Sequence, residues 1–404
     1  MTAMSTPNGT RLSDLRGVAR MAVDATESIA EVVEKMHRTI QLRPGPLGPA
    51  ATDRPGGITG FVYRCVRGGI RVVGWAIDAS VAAAIASAPE DKSSSVRDAY
   101  VSAANGVYGD YLLRTGNPLA IDMSLRYRGR QVDLCNPMSA FDQQSNVTPV
   151  GKLVVLAHGL CMNDRQWNRD GHDHGAALAD EFGYVPLYLL YNSGLRIASN
   201  GRMLAELLET LIRNWESPVE ELVIVGHSMG GLVARSACHH GQEAGHAWPK
   251  VLRKLVFLGT PHHGAPLERG GYALDLVMNL SPYSVPLTHL SKARSEGITD
   301  LRHGTISATE KTVPLPAGVK CYAVAAVRAA KRNFLSERLI GDGLVPLNSA
   351  LGRHRDATRM LAIPKRRQWV GYRMGHRDLL SHPEVYGQLR AWLQQPTPGV
   401  EPRF

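Results

Sequence analysis

Chemistry concentrates first at Gly226-His227-Ser228-Met229-Gly230, between the apolar run 222–225 and a helical stretch that begins at once. A G-x-S-x-G string in that context is a sharp strand-to-helix turn whose central hydroxyl is pushed out on a strained backbone. Glycines flank it because the turn leaves no room for side chains. The helix N-terminus beneath the serine offers free N–H groups and the positive end of a dipole to a developing oxyanion. A serine hydroxyl is a weak nucleophile and needs a base. It also needs a second oxyanion donor, from the loop after an earlier strand. Residues 153–160, an apolar run ending in His158-Gly159-Leu160, have that form. Gly159 lets the loop backbone come close, and the N–H groups of Leu160 and Met229 form the expected pair of oxyanion donors. His158 is read as structural.

These residues need a rigid frame, and the chain from about 119 onward supplies its pattern. Short apolar runs at 153–157, 185–190, 222–225, 255–258, 321–327 and 368–372 alternate with helical stretches at 174–182, 203–215 and 383–393. That alternation is the signature of a mostly parallel sheet with flanking helices. A hairpin is expected around Arg128-Gly129, from 121–127 and 131–134.

Upstream, the texture differs. Residues 12–41 step apolar positions by three and four, which predicts an amphipathic helix. Residues 44–57 hold four Pro and four Gly and read as a linker. Residues 58–88 combine a broad apolar face with a stripe of Arg64, Arg67, Arg71 and Asp78. Such a helix either lies in a membrane interface or packs against a second domain. A further helix is expected over 94–114, and Asn117-Pro118 breaks the chain. The resulting division is a helical region over 1–118 and an α/β domain over 119–404.

Composition narrows the classes. The chain has 404 residues, 44% hydrophobic and 20% charged, so it can bury a full core. No apolar run is long enough to span a membrane. The excess of 46 basic over 36 acidic residues gives +10, dispersed without a nucleic-acid-reading motif, and no nucleic-acid partner is expected. Five widely spaced cysteines without a CxxC argue against a disulfide framework or a zinc site. His172-Asp173-His174 lacks a further paired ligand and reads as a solvated loop. The first residues contain no apolar leader core, so a cytoplasmic location, with membrane association through the N-terminal helices, is expected.

The region 119–395 resembles the α/β-hydrolase superfamily on its lipase and esterase side. Three strings carry the likeness besides the serine turn: Gly341-Asp342-Gly343-Leu344-Val345-Pro346, Gly259-Thr260-Pro261-His262-His263-Gly264, and Tyr191-Asn192-Ser193-Gly194. The first resembles the acid loop of bacterial triacylglycerol lipases, the second a loop of lipases and of GPI inositol-deacylase-like esterases. The resemblance implies the order nucleophile, acid, histidine. It makes Asp342 the acid and His376, in Met374-Gly375-His376-Arg377-Asp378, the base for Ser228. His354 and His382 are the competing histidines. The other two strings read as scaffold, with His262 or His263 in reach of substrate. Asp378 stands where some bacterial lipases bind calcium, but its partner acid is not identifiable, so no metal and no cofactor are expected.

The implied activity is hydrolysis of carboxylic esters of lipid or hydrophobic acyl groups through an acyl-enzyme. An acyltransferase would use the same triad, and a non-catalytic membrane- or partner-binding protein would need none of it. The stretch 262–318 is long for a connection and includes the apolar string 272–280, which suits a cap over the serine.

Overall fold

The computed structural model describes Asp14, residues 16–24, 26–27, 66, 68, 95–141, 151–264, 295–309, 313–330 and 341–394. The linker at 44–57, most of 58–88 and the apolar string 272–280 lie outside the described residues. The chain comprises two compact units, one of 1–97 with 112–120 and one of 98–111 with 121–404.

In the first unit, residues 16–24 are helical. Asn117 ties this segment down: its Nδ2 donates to Gly17 O (3.0 Å) and its Oδ1 accepts from Leu119 N (3.0 Å). Arg97 forms a two-pronged ion pair with Asp14, with Nη2 donating to Oδ1 at 2.7 Å.

The second unit is built on an eight-stranded sheet. Its strands are β1 (Ser124–Tyr127), β2 (Arg130–Gln131), β3 (Lys152–Ala157), β4 (Val185–Leu190), β5 (Glu221–His227), β6 (Leu252–Leu258), β7 (Lys320–Val327) and β8 (Gln368–Tyr372). The order is β2-β1-β4-β3-β5-β6-β7-β8. β1 pairs antiparallel with β2 and β4, and every pairing from β4 to β8 is parallel. This is the α/β-hydrolase arrangement. The β1–β2 turn is the expected one, with Arg128 (φ 50°) and Gly129 (φ 76°) both left-handed as a two-residue hairpin requires.

The helices are α1 (Ser95–Arg114), α2 (His174–Phe182), α3 (Ile197–Arg213), α4 (Met229–Glu243), α5 (Glu296–His303), α6 (Leu347–Ala350) and α7 (Pro383–Leu393). α1 loses helical dihedrals at Tyr108 (φ −126°, ψ 18°), next to the point where Asn192 Nδ2 takes the Gly109 carbonyl at 3.0 Å. An outside side chain entering the helical ladder is a recognised cause of such a kink. α3 starts earlier than the periodicity predicts, because Asp300 of α5 caps it: Oδ2 accepts the Ile197 N–H at 3.0 Å.

Alternation along the strands divides the core in two. Leu222 and Ile224 of β5 join Leu204, Leu208, Leu232 and Val233 of α3 and α4. Val223 and Val225 join Leu178 of α2 and Val385, Leu389 and Trp392 of α7. β5 is therefore clamped from both faces. Truncating the fully buried Ile224 to Ala would cost about 2–5 kcal/mol. The chain runs outward on opposite sides of β3 and β5, and in open α/β sheets the crevice beyond the strand ends at such a switch is where ligands bind. Among the described residues no helix is long and apolar enough to cross a membrane.

Candidate active site

β5 ends at His227 and α4 begins at Met229, leaving Ser228 alone in the turn at φ 53°, ψ −121°. A positive φ in a side-chain-bearing residue is strained and is held only by its surroundings. Two glycines make the turn possible. A Cβ on Gly226 would lie 2.5 Å from the Gly231 backbone, and one on Gly230 would lie 2.1 Å from Ala157 O. The Ser228 N–H donates to Leu258 O at 2.8 Å, and its carbonyl accepts from Gly231 N at 3.1 Å.

The loop after β3 presses against this turn. A Cβ on Gly159 would stand 3.2 Å from Ser228 Cβ. The neighbouring N–H groups are engaged: Cys161 donates to Ser193 Oγ (3.0 Å) and Met162 to Gly159 O (3.3 Å). The N–H groups of Leu160 and Met229 have no acceptor among the described residues, and both residues are fully buried. They are the two donors the sequence singles out. His158 fixes their loop, as expected of a structural residue. Its Nδ1 donates to Gly159 O (2.8 Å), its ring stacks on Tyr191 at 4.3 Å, and its carbonyl accepts the Tyr191 hydroxyl (2.8 Å). Burial lowers its pKa to about 4, outweighing the hydrogen bond to Gly159, so it is neutral near pH 7.

Asp342 and His376, 34 residues apart, meet directly: Asp342 Oδ2 accepts from His376 Nδ1 at 2.6 Å. The other carboxylate oxygen is held by the N–H groups of Leu344 (2.9 Å) and Val345 (2.7 Å). Arg328 Nε donates to the Asp342 carbonyl at 3.1 Å. The carboxylate is thus buried but satisfied on both oxygens. On the far side of the imidazole, His376 Nε2 is buried with no hydrogen-bond partner among the described residues. The structure brings Asp342 and His376 together after β7 and β8 and places Ser228 after β5, at the same carboxyl edge of the sheet. It forms no hydrogen bond between Ser228 and His376.

Three residues that the sequence does not flag position this imidazole or its loop. His227, the x of the serine motif, packs its ring 4.7 Å from His376 and donates from Nε2 to the His376 carbonyl (3.1 Å). Gly259 has φ +60°, and a Cβ there would lie 3.0 Å from His376 Cε1 and Nδ1. His174 reaches the same loop, Nε2 to Leu379 O at 3.0 Å. That corrects the expectation of a solvated loop at His172-Asp173-His174. His174 is buried, its Nδ1 hydrogen-bonds His172 Nε2 (2.9 Å), and Asp173 caps α2 and accepts the Tyr188 hydroxyl at 2.6 Å. The only advance signal for His227 was its place inside the motif.

The other histidines are occupied elsewhere. His262 is buried edge-on to Phe257 (4.5 Å) with Nδ1 3.4 Å from Arg235. His263 lies against His354 at 4.9 Å. His382 caps α7 by accepting from Glu384 N (3.3 Å), and Asp378 accepts from Gly375 N (2.8 Å).

Residues 148–313 match a family model described as a PGAP1-like alpha/beta domain. That span contains Leu160, Ser228 and Met229 but ends before Asp342 and His376. No curated protein sequence matches the chain. Among solved structures, a mature lipase of Bacillus licheniformis is 18% identical with a TM-score of 0.43, covering 62% of this chain and 95% of its own. Lipase B of Aspergillus fumigatus is 14% identical with a TM-score of 0.38, covering 62% of this chain and 54% of its own. A thermophilic esterase of Thermogutta terrifontis is 18% identical with a TM-score of 0.37, covering 61% of this chain and 91% of its own.

Proposed function

We propose that this chain, a member of the α/β-hydrolase superfamily of lipase and esterase type, is a serine hydrolase of carboxylic esters with Ser228, Asp342 and His376 as its triad. The observation that carries the reading is the buried Asp342–His376 hydrogen bond at 2.6 Å, together with a serine strained at φ 53° in the turn after β5. His376 Nε2 takes the Ser228 proton as Oγ attacks the ester carbonyl. The tetrahedral oxyanion is received by the N–H groups of Leu160 and Met229, which have no acceptor among the described residues. Asp342 holds the tautomer with the proton on Nδ1 and stabilises the imidazolium. His376 then protonates the departing alkoxide, and water resolves the acyl-enzyme by the same steps. The lipase- and esterase-like strings of the sequence, at 191–194, 259–264 and 341–346, favour esters with a hydrophobic acyl group.

Hydrolysis of p-nitrophenyl esters of graded acyl length, with wild type beside Ser228→Ala, tests the reading. The wild type turns over and the variant does not, with an optimum at medium or long chains. Ester hydrolysis retained in Ser228→Ala overturns the mechanism. Activity confined to acetate or butyrate overturns the hydrophobic-acyl assignment alone.

A further inference from the structure

The last turn of α4 carries His239, His240 and Glu243, whose ligand atoms all lie within 4.8 Å of one another. They are the one such group of three among the described residues, and neither the triad nor the oxyanion donors involve them. Helical spacing explains the convergence on Glu243, which stands i+4 from His239 and i+3 from His240, the two spacings at which helical side chains meet. Glu243 Oε2 stands 3.4 Å from His239 Nε2 and 3.2 Å from His240 Nδ1.

Those separations have a chemical meaning. Two ligands each about 2.1 Å from a tetrahedral zinc ion stand about 3.4 Å apart. A second observation is independent of the spacing. His239 Nε2 is shielded from solvent yet has no hydrogen-bond partner among the described residues, while its side chain is only 10% exposed. A buried imidazole nitrogen that faces a carboxylate at 3.4 Å without a hydrogen bond to it gains from a metal bond. Glu243, by contrast, is 54% exposed and free to turn toward an ion.

We propose that His239, His240 and Glu243 bind one divalent transition-metal ion of the zinc class, with water completing the shell. The donor set selects the metal class: two imidazole nitrogens and one carboxylate suit zinc, cobalt or nickel, whereas calcium and magnesium take oxygen ligands. The helix end also favours a cation, since the C-terminal dipole is negative. The site is about 17 Å along α4 from Ser228. It fastens the helix that supports the serine turn and takes no part in bond making. This inference is independent of the proposed esterase activity.

Zinc is titrated calorimetrically into metal-stripped full-length protein, and cobalt is added in parallel for its visible absorption. The expected result is one zinc per chain, a tetrahedral cobalt band, and a thermal midpoint that climbs with zinc concentration. Glu243→Gln and His239→Asn should each weaken zinc by at least about tenfold. His246→Asn, a nearby histidine outside the trio, should leave it unchanged. Far-ultraviolet circular dichroism verifies that the variants are folded. Absence of zinc binding by wild type overturns the site, as does wild-type affinity in folded Glu243→Gln and His239→Asn.

Discussion

His227 Nε2 donates to the backbone carbonyl of His376 at 3.1 Å, and the two rings lie 4.7 Å apart. The residue before the nucleophile thus holds the loop of the proposed base, so the serine turn and the histidine loop are one mechanical unit. Burial drives the His227 pKa well down, helped by His376, which keeps the ring neutral. One nitrogen donates to the loop, and Nδ1 is buried without a partner among the described residues.

Replacing His227 by Phe keeps the bulk and removes the donor. The expected outcome is a fall in kcat of about 10²-fold with KM changed little, because displacing a reacting group by about 1 Å costs that order. His227→Gln, which can still donate, should recover part of the loss. Steady-state kinetics on a soluble ester decides it. Equal kcat in wild type and His227→Phe would refute the positioning role.

Ser228 stores strain, since φ 53° with ψ −121° suits glycine and few others. Ser228→Gly should therefore raise stability by about 1 kcal/mol while turnover falls by about 10⁶-fold. Chemical denaturation of the two proteins side by side measures the first effect. A lower midpoint for the glycine variant would mean that hydrogen bonds of the serine outweigh the strain.

Gly259 has no room for a methyl group: its Cβ would meet His376 at 3.0 Å and Leu379 Cδ1 at 2.7 Å, at φ +60°. Gly259→Ala should destabilise by about 1–2 kcal/mol and lower kcat by more than that loss explains, because the imidazole is displaced. The informative measurement is kcat at a temperature where the variant is fully folded. Unchanged kcat there would show that the ring adjusts without cost.

Legibility followed the locality of the cause. The strands at 153–157, 185–190 and 368–372 were readable because apolar runs between turn signals report a buried sheet directly. Ser228 was readable for a similar reason: the turn forces Gly226 and Gly230 by contact with Gly231 and Ala157 O. The Asp342–His376 pair was reachable only through a family resemblance, since no spacing rule links residues 34 apart on different loops. His174, His227 and Gly259 act through tertiary contacts to one loop, and nothing in their own neighbours announces that. The early start of α3 has the same origin, a cap supplied by Asp300 from about a hundred residues away.

Acid should unfold the protein through its buried histidines. His158 and His174 have pKa values lowered to about 4, in both cases chiefly by burial. The same groups in the unfolded chain titrate near 6.5. Between those values the unfolded state binds protons that the folded state refuses, so stability rises with pH through this window. The contribution is fully present above about pH 6.5 and is progressively lost as pH falls toward 4. At roughly 1.4 kcal/mol per unit, each histidine contributes on the order of 3 kcal/mol. Urea midpoints should decline steadily from pH 7 to pH 4. His174→Gln, which can keep the bond to Leu379 O without the titration, should flatten that decline by about one proton's slope. A pH profile of the same steepness in that variant would assign the acid sensitivity to other groups.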